Sequence, residues 1–167
     1  MRILFIQPEF ENIGIEYIGA ILKRCGHEVK LIFLPRPYAN TAFKIKKDNG
    51  REENYLIERT IDNFKPHIIG FSPFSSFFKW SVEKANFIKR KFPNIFILYG
   101  GVHATFIPEN TIAEDSIDGV IIGEGENAIV QFVNNFNYPT KLIKLSLIHI
   151  SEPTRPLYIS YAVFCLK

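Results

Sequence analysis

Ile3-Leu4-Phe5-Ile6, ended by Gln7-Pro8, is an unbroken apolar run and not an alternation. A strand of that composition is covered on both faces, as strands are in a parallel sheet. The same punctuation recurs outward from it. Ile15, Ile18, Leu22 and Cys25 repeat at helical spacing, with Lys23 and Arg24 in the last turn and Gly26 as the stop. Residues 29–33 form a second apolar run, broken by Pro35 and Pro37. Residues 55–64 read as a helix, and Ile68-Ile69-Gly70-Phe71-Ser72 as a third strand. Val82, Ala85, Ile88 and Phe92 mark a helix ended by Pro93. Ile95-Phe96-Ile97-Leu98-Tyr99 is a fourth strand, closed by Gly100-Gly101. Residues 117–122 are a fifth, closed by Gly123-Glu124-Gly125-Glu126, and a last helix runs over 127–136. Residues 38–51 are polar and lysine-bearing, either a surface excursion or a loop near a ligand. Buried strands alternating with helices imply right-handed βαβ units. The expected fold is therefore α/β, a doubly wound, five-stranded parallel sheet.

Composition bounds the function. The 167 residues are 47% apolar and 22% charged, enough for one domain with a real core. Lys and Arg total 20 against 17 Asp and Glu, a net charge of +3, which gives no bulk electrostatic footprint for nucleic acid or a membrane surface. Two cysteines, Cys25 and Cys165, make neither a disulfide framework nor a Cys-x-x-Cys pair. No apolar run approaches the length of a membrane span, and the first residues lack a secretory h-region. A reduced, cytoplasmic setting is the expectation.

In open α/β sheets ligands sit beyond the carboxyl ends of the strands, near the switch in strand order. The residues there carry the candidate chemistry. Gly100 and Gly101 present bare main chain, which lets a bulky group lie against the backbone or serves a tight strand-to-helix turn. Gly123-Glu124-Gly125-Glu126 is a second such turn, with Glu126 complementing a helix dipole. Ser72, Ser75 and Ser76 offer hydroxyls to a ligand or cap the next helix, and the residues alone favour capping. His103, beside these glycines, is a metal ligand, a base or a hydrogen-bonded loop histidine, and the lack of a nearby His or Cys favours the last. Trp80 and the phenylalanines at 71, 74, 77 and 78 suit core packing better than ligand stacking. A nicotinamide-dinucleotide fingerprint, a P-loop and a Gly-x-Ser-x-Gly elbow are all missing from the chain.

Several stretches together resemble the cobalamin-binding domain that precedes the catalytic domain of many radical S-adenosylmethionine enzymes. They are residues 15–29, Pro66-His67-Ile68-Ile69-Gly70-Phe71-Ser72, Tyr99-Gly100-Gly101-Val102-His103-Ala104-Thr105-Phe106-Ile107-Pro108-Glu109, and Gly119-Val120-Ile121-Ile122-Gly123-Glu124-Gly125-Glu126. The Gly-Gly-x-His-x-Thr and Gly-Glu-Gly-Glu pair is the most specific part, and the likeness spans residues 2–136. It implies a flavodoxin-like (Rossmann-like) sheet holding cobalamin at its carboxyl edge, with the nucleotide tail passing Gly100 and Gly101. The cofactor-binding set it implies is Glu11, Gly14, Ser72, Ser75, Gly100, Gly101, His103, Gly123 and Glu124, with no catalytic and no metal-ligating residue. Cobalamin domains that ligate cobalt carry Asp-x-His-x-x-Gly after the first strand. Here Glu9-Phe10-Glu11-Asn12-Ile13-Gly14 puts Glu11 where that histidine would stand. A carboxylate is a poor imidazole substitute on cobalt, so this loop is expected not to ligate the metal.

The family's Cys-x-x-x-Cys-x-x-Cys cluster motif is missing, so the resemblance leads to the expectation that the iron–sulfur cluster and S-adenosylmethionine belong to a catalytic domain beyond this chain and that the fragment alone is inactive. Residues 145–167 resemble the conceptual translation of a common sequencing-adapter DNA, and the natural frame is expected to stop near Lys144. The alternative is an extra strand pair. The division expected is a cobalamin-binding-like domain over 1–137, a linker over 138–144 and a non-native tail over 145–167, which removes His149 and Cys165 from any site. The expected partners are cobalamin and the missing catalytic domain, with no nucleic acid and no membrane. The competing reading is a flavodoxin- or receiver-like scaffold or regulatory domain, against which stands the lack of an Asp after the third strand.

Overall fold

The computed structural model describes residues 1–8, 12–34, 50–136 and 163–166, the last four as backbone. Glu11, most of the lysine-bearing stretch, the proposed linker and His149 lie outside the described residues. Five parallel strands are laid down as expected: β1 (Arg2–Pro8), β2 (Glu28–Leu34), β3 (Ile68–Phe71), β4 (Phe96–Tyr99) and β5 (Gly119–Ile122). Their order is 2-1-3-4-5, the flavodoxin-like arrangement, so the switch point falls between β1 and β3.

A sixth strand, β6 (Val163–Leu166), pairs antiparallel with β5, from Gly119 opposite Leu166 to Ile122 opposite Val163. It lies in the stretch set apart by sequence as tail. Ladder pairing is made by main chain, and the outer edge of β5 offers unpaired N–H and C=O groups to any extended segment.

Helices cover both faces. On one lie α1 (Ile13–Arg24) and α6 (Glu126–Asn134), which bury Ile15, Leu22, Ala128, Ile129, Phe132 and Val133 against Ile3, Phe5, Ile68, Leu98 and Ile121. On the other, α2 (Arg51–Phe64) and α3 (Phe78–Lys91) bury Ile57, Ile61, Trp80, Ala85 and Ile88 against Leu4, Ile6, Ile69, Ile97 and Tyr99. The strands thus point alternate side chains into two separate apolar layers, which is why they read as unbroken apolar runs.

Helix ends follow local chemistry. Asn12 caps α1, its Oδ1 accepting from the N–H groups of Gly14 at 3.0 Å and Ile15 at 3.3 Å. Gly26, with φ of 84°, turns the chain into β2. Cys25, expected on the apolar stripe, is the C-cap residue of α1 and is exposed. Two short helices, α4 (Gly101–Phe106) and α5 (Pro108–Ala113), fill the connection between β4 and β5, where the sequence had offered only a strand-to-helix turn at Gly100-Gly101 as one of two readings.

Candidate functional site

The carboxyl ends of β1, β3, β4 and β5 enclose one side of a pocket of about 280 Å³, and the N-terminal turns of α1 and α6 enclose the other. Its deep wall is apolar: Phe5, Ile15, Leu98, Ile121 and Ile129 are each at most 5% exposed. Gly70 completes that wall inside β3, where a Cβ would stand 2.5 Å from the Phe5 ring. The polar groups gather at the mouth, where the strands give way to loops: Asn12, Ser72, Glu124 and Glu126, with the main chain of Gly14, Gly100, Gly101, Gly123 and Gly125. Exposed Phe74 and Val102 also border it.

Six of the residues singled out by sequence therefore line one cavity: Gly14, Ser72, Gly100, Gly101, Gly123 and Glu124. Ser75 and His103 do not line it. The reason is local: α4 turns His103 away from the mouth into the seam against α3. There its Nδ1 meets Ser75 Oγ at 3.0 Å and its ring stacks on Phe78, with 4.0 Å between centroids. Nε2 is buried without a hydrogen-bond partner, and burial holds the imidazole below its ordinary pKa. His103 is thus a neutral bracket holding α4 to the turn after β3.

Each glycine at the mouth has its own reason. Gly101 has φ of 80°, and a Cβ there would lie 2.2 Å from Ser72 Oγ. Gly100 is extended, at φ of −151°, and an added Cβ would find nothing nearer than 3.9 Å, so its bareness keeps the pocket open and relieves no strain. Gly123 has φ of 79°.

Thr105 joins the two glycine turns. Its hydroxyl donates to the Gly101 carbonyl at 2.8 Å and accepts from the Gly123 N–H at 3.0 Å. Asn12 Nδ2 reaches Ser72 Oγ at 3.5 Å, so the loops after β1 and β3 are also in contact. The cofactor-binding set implied by the sequence left out Phe5, Gly70, Asn12 and Thr105, although Asn12 lies in the loop read after the first strand and Thr105 in the stretch that carries the Gly-Gly-x-His-x-Thr signal. A glycine within an otherwise bulky apolar strand was the available signal for Gly70, since it marks close approach of another group to the backbone.

Among the described residues, no group of three His, Cys, Asp or Glu side chains is placed to hold a metal ion, and no helix is long and apolar enough to cross a membrane.

Comparison with known proteins now bears on this pocket. An uncharacterized methyltransferase of Pyrococcus horikoshii is 27% identical over 150 residues, covering 80% of this chain and 29% of that protein. Cytidylyl-2-hydroxyethylphosphonate methyltransferase of Streptomyces wedmorensis is 23% identical over 137 residues, covering 75% of this chain and 24% of that protein. Anaerobic magnesium-protoporphyrin IX monomethyl ester cyclase of Rubrivivax gelatinosus is 26% identical over 145 residues, covering 80% and 24%. The chain thus spans about a quarter of the length of these relatives. Residues 3–133, which carry all five parallel strands and every described residue of the pocket, match the B12 binding domain, and the chain belongs to that family.

Proposed function

We propose that this chain holds cobalamin at the carboxyl edge of its sheet and positions it for a catalytic domain lying outside these residues. The observation that carries the reading is the open, glycine-edged pocket at the switch point. Gly100 leaves room that a Cβ would take, Gly70 lets the Phe5 ring lie against the sheet as part of the wall, and that apolar wall suits one aromatic arm of a ligand. A volume of 280 Å³ falls just below the range of small-molecule pockets, about 300–1,000 Å³. It would take the nucleotide tail of a corrinoid, with the macrocycle left at the mouth, where Ser72, Gly101, Gly123 and Glu124 would hold it. Ser75 and His103 act indirectly, by fixing α4. When bound, cobalamin supplies a cobalt centre able to carry a methyl group or take part in radical chemistry. The chain's residues supply binding and orientation and no catalytic group. The parent enzyme in this reading is a cytoplasmic radical S-adenosylmethionine enzyme, a methyltransferase or a cyclase as in the relatives' names, with its iron–sulfur cluster in the catalytic domain.

Titrating the purified chain with hydroxocobalamin tests this. Saturable change in the visible spectrum, with pink protein after gel filtration, is the expected result. Gly100→Leu fills the pocket from an unstrained backbone position, so it weakens binding at least about tenfold while the circular dichroism spectrum stays unchanged. A wild-type chain that leaves the spectrum untouched has only the fold, and the scaffold reading then takes precedence.

A further inference from the structure

The depth of the pocket discriminates between corrinoids. We infer that this chain selects cobamides whose lower base is edged by hydrocarbon, such as dimethylbenzimidazole, over those carrying a purine. The inference rests on the reading that the nucleotide tail enters the pocket, and goes beyond it by naming which tail. The wall that would surround the base consists of Phe5, Ile15, Leu98, Ile121 and Ile129, all buried, with the Gly70 backbone between them. No hydroxyl, amide or charged side chain belongs to that wall.

The Gly70 backbone is committed to the sheet, since β3 pairs with both β1 and β4. At the mouth, Asn12 Oδ1 is already occupied by the N–H groups of Gly14 and Ile15. Thr105 Oγ1 is occupied by Gly101 and Gly123. A purine brings an exocyclic amine and several ring nitrogens. Buried among Phe5, Ile15, Leu98, Ile121 and Ile129 they would lose water and meet only hydrocarbon, because the pocket's polar side chains, Asn12, Ser72, Glu124 and Glu126, stand at the mouth, and an unsatisfied buried polar group is costly. The methyl-bearing edge of dimethylbenzimidazole meets no such penalty and adds apolar contact with Phe5, Leu98 and Ile121. Discrimination of this kind is strong when polar atoms are stranded and weak when only a methylene differs.

Equilibrium binding of three corrinoids to the full chain, followed by visible absorbance and calorimetry, tests the inference. They are cobalamin, its adenine-base analogue pseudocobalamin, and cobinamide, which lacks the nucleotide. Cobalamin is expected to bind at least about tenfold more tightly than either of the others. Equal or tighter binding of pseudocobalamin would overturn the selectivity while leaving corrinoid binding intact. Cobinamide binding as tightly as cobalamin would overturn it by taking the tail out of the slot. Failure of all three to bind would remove the underlying function and the selectivity together.

Discussion

Gly101 bears two constraints at once, and they separate experimentally. Its φ of 80° is a region where an L side chain costs roughly 1–2 kcal/mol, and the missing Cβ is where Ser72 Oγ sits. Gly101→Ala is therefore expected to lower the unfolding free energy measured by chemical denaturation by at least the backbone cost, about 1 kcal/mol, and to weaken cobalamin binding because Ser72 must move from the mouth. Adding Ser72→Ala removes the 2.2 Å clash but leaves the backbone strain, so the double variant should recover part of the stability and not all of it. A Gly101→Ala chain as stable as wild type would show that the turn after β4 relaxes freely. Gly100, one residue earlier, makes the contrast: it is bare for the sake of space alone. The pair looks uniform in sequence, and only the dihedral angles reveal that its halves do different work.

Thr105 sits at the scale of elements, because one hydroxyl sets the spacing between α4 and the turn that starts α6. Thr105→Val keeps the shape and removes both hydrogen bonds, a loss of about 0.5–1.5 kcal/mol for each of these part-buried pairs. Thr105→Ser keeps both hydrogen bonds. Expected in a cobalamin titration is weaker binding for the valine variant and near-wild-type binding for the serine variant. Equal binding in both would deny the bridge any role in shaping the mouth. At this scale the strands were legible in the sequence, because double-sided burial forces continuous runs such as Ile3 to Ile6 and Ile95 to Tyr99. Helices α4 and α5 were not. Each has six residues, and α4 buries only His103 and Ala104, too little to print an apolar period. Pro108 at the first position of α5 was the one readable mark. The mouth of the pocket was legible through its glycines, since bare backbone at strand ends is visible in one dimension. Its deep wall was not, because Phe5, Leu98 and Ile121 are indistinguishable in sequence from ordinary core. The inward turn of His103 was equally hidden, since it depends on Ser75 and Phe78 coming together across two connections.

Across the whole molecule, two histidines brace opposite edges of the sheet, and both are held neutral. At the amino edge, His67 Nδ1 accepts from the Arg2 N–H at 3.0 Å, while its backbone joins β1 to β4 through Arg2 and Phe96. Burial lowers its pKa below 6.5, aided by the nearby positive charges of Arg2 and the N-terminus and opposed by that hydrogen bond and by Glu28. At the carboxyl edge, burial alone lowers that of His103. A histidine whose folded pKa is depressed binds fewer protons folded than unfolded. The stability it contributes is complete above the unfolded value of 6.5 and is lost as pH falls below it. The thermal midpoint should accordingly be level above about pH 7 and decline from pH 6.5 downward, before any carboxylate titrates. His67→Asn supplies an oxygen to accept the Arg2 N–H and cannot take up a proton, so it should flatten part of that decline and leave cobalamin binding at the far edge unchanged. His103→Asn should flatten another part and weaken binding as well, because it loosens α4. If the two variants decline with pH as steeply as wild type, the acid sensitivity lies in the carboxylates, and the histidine braces at the two edges do not govern it.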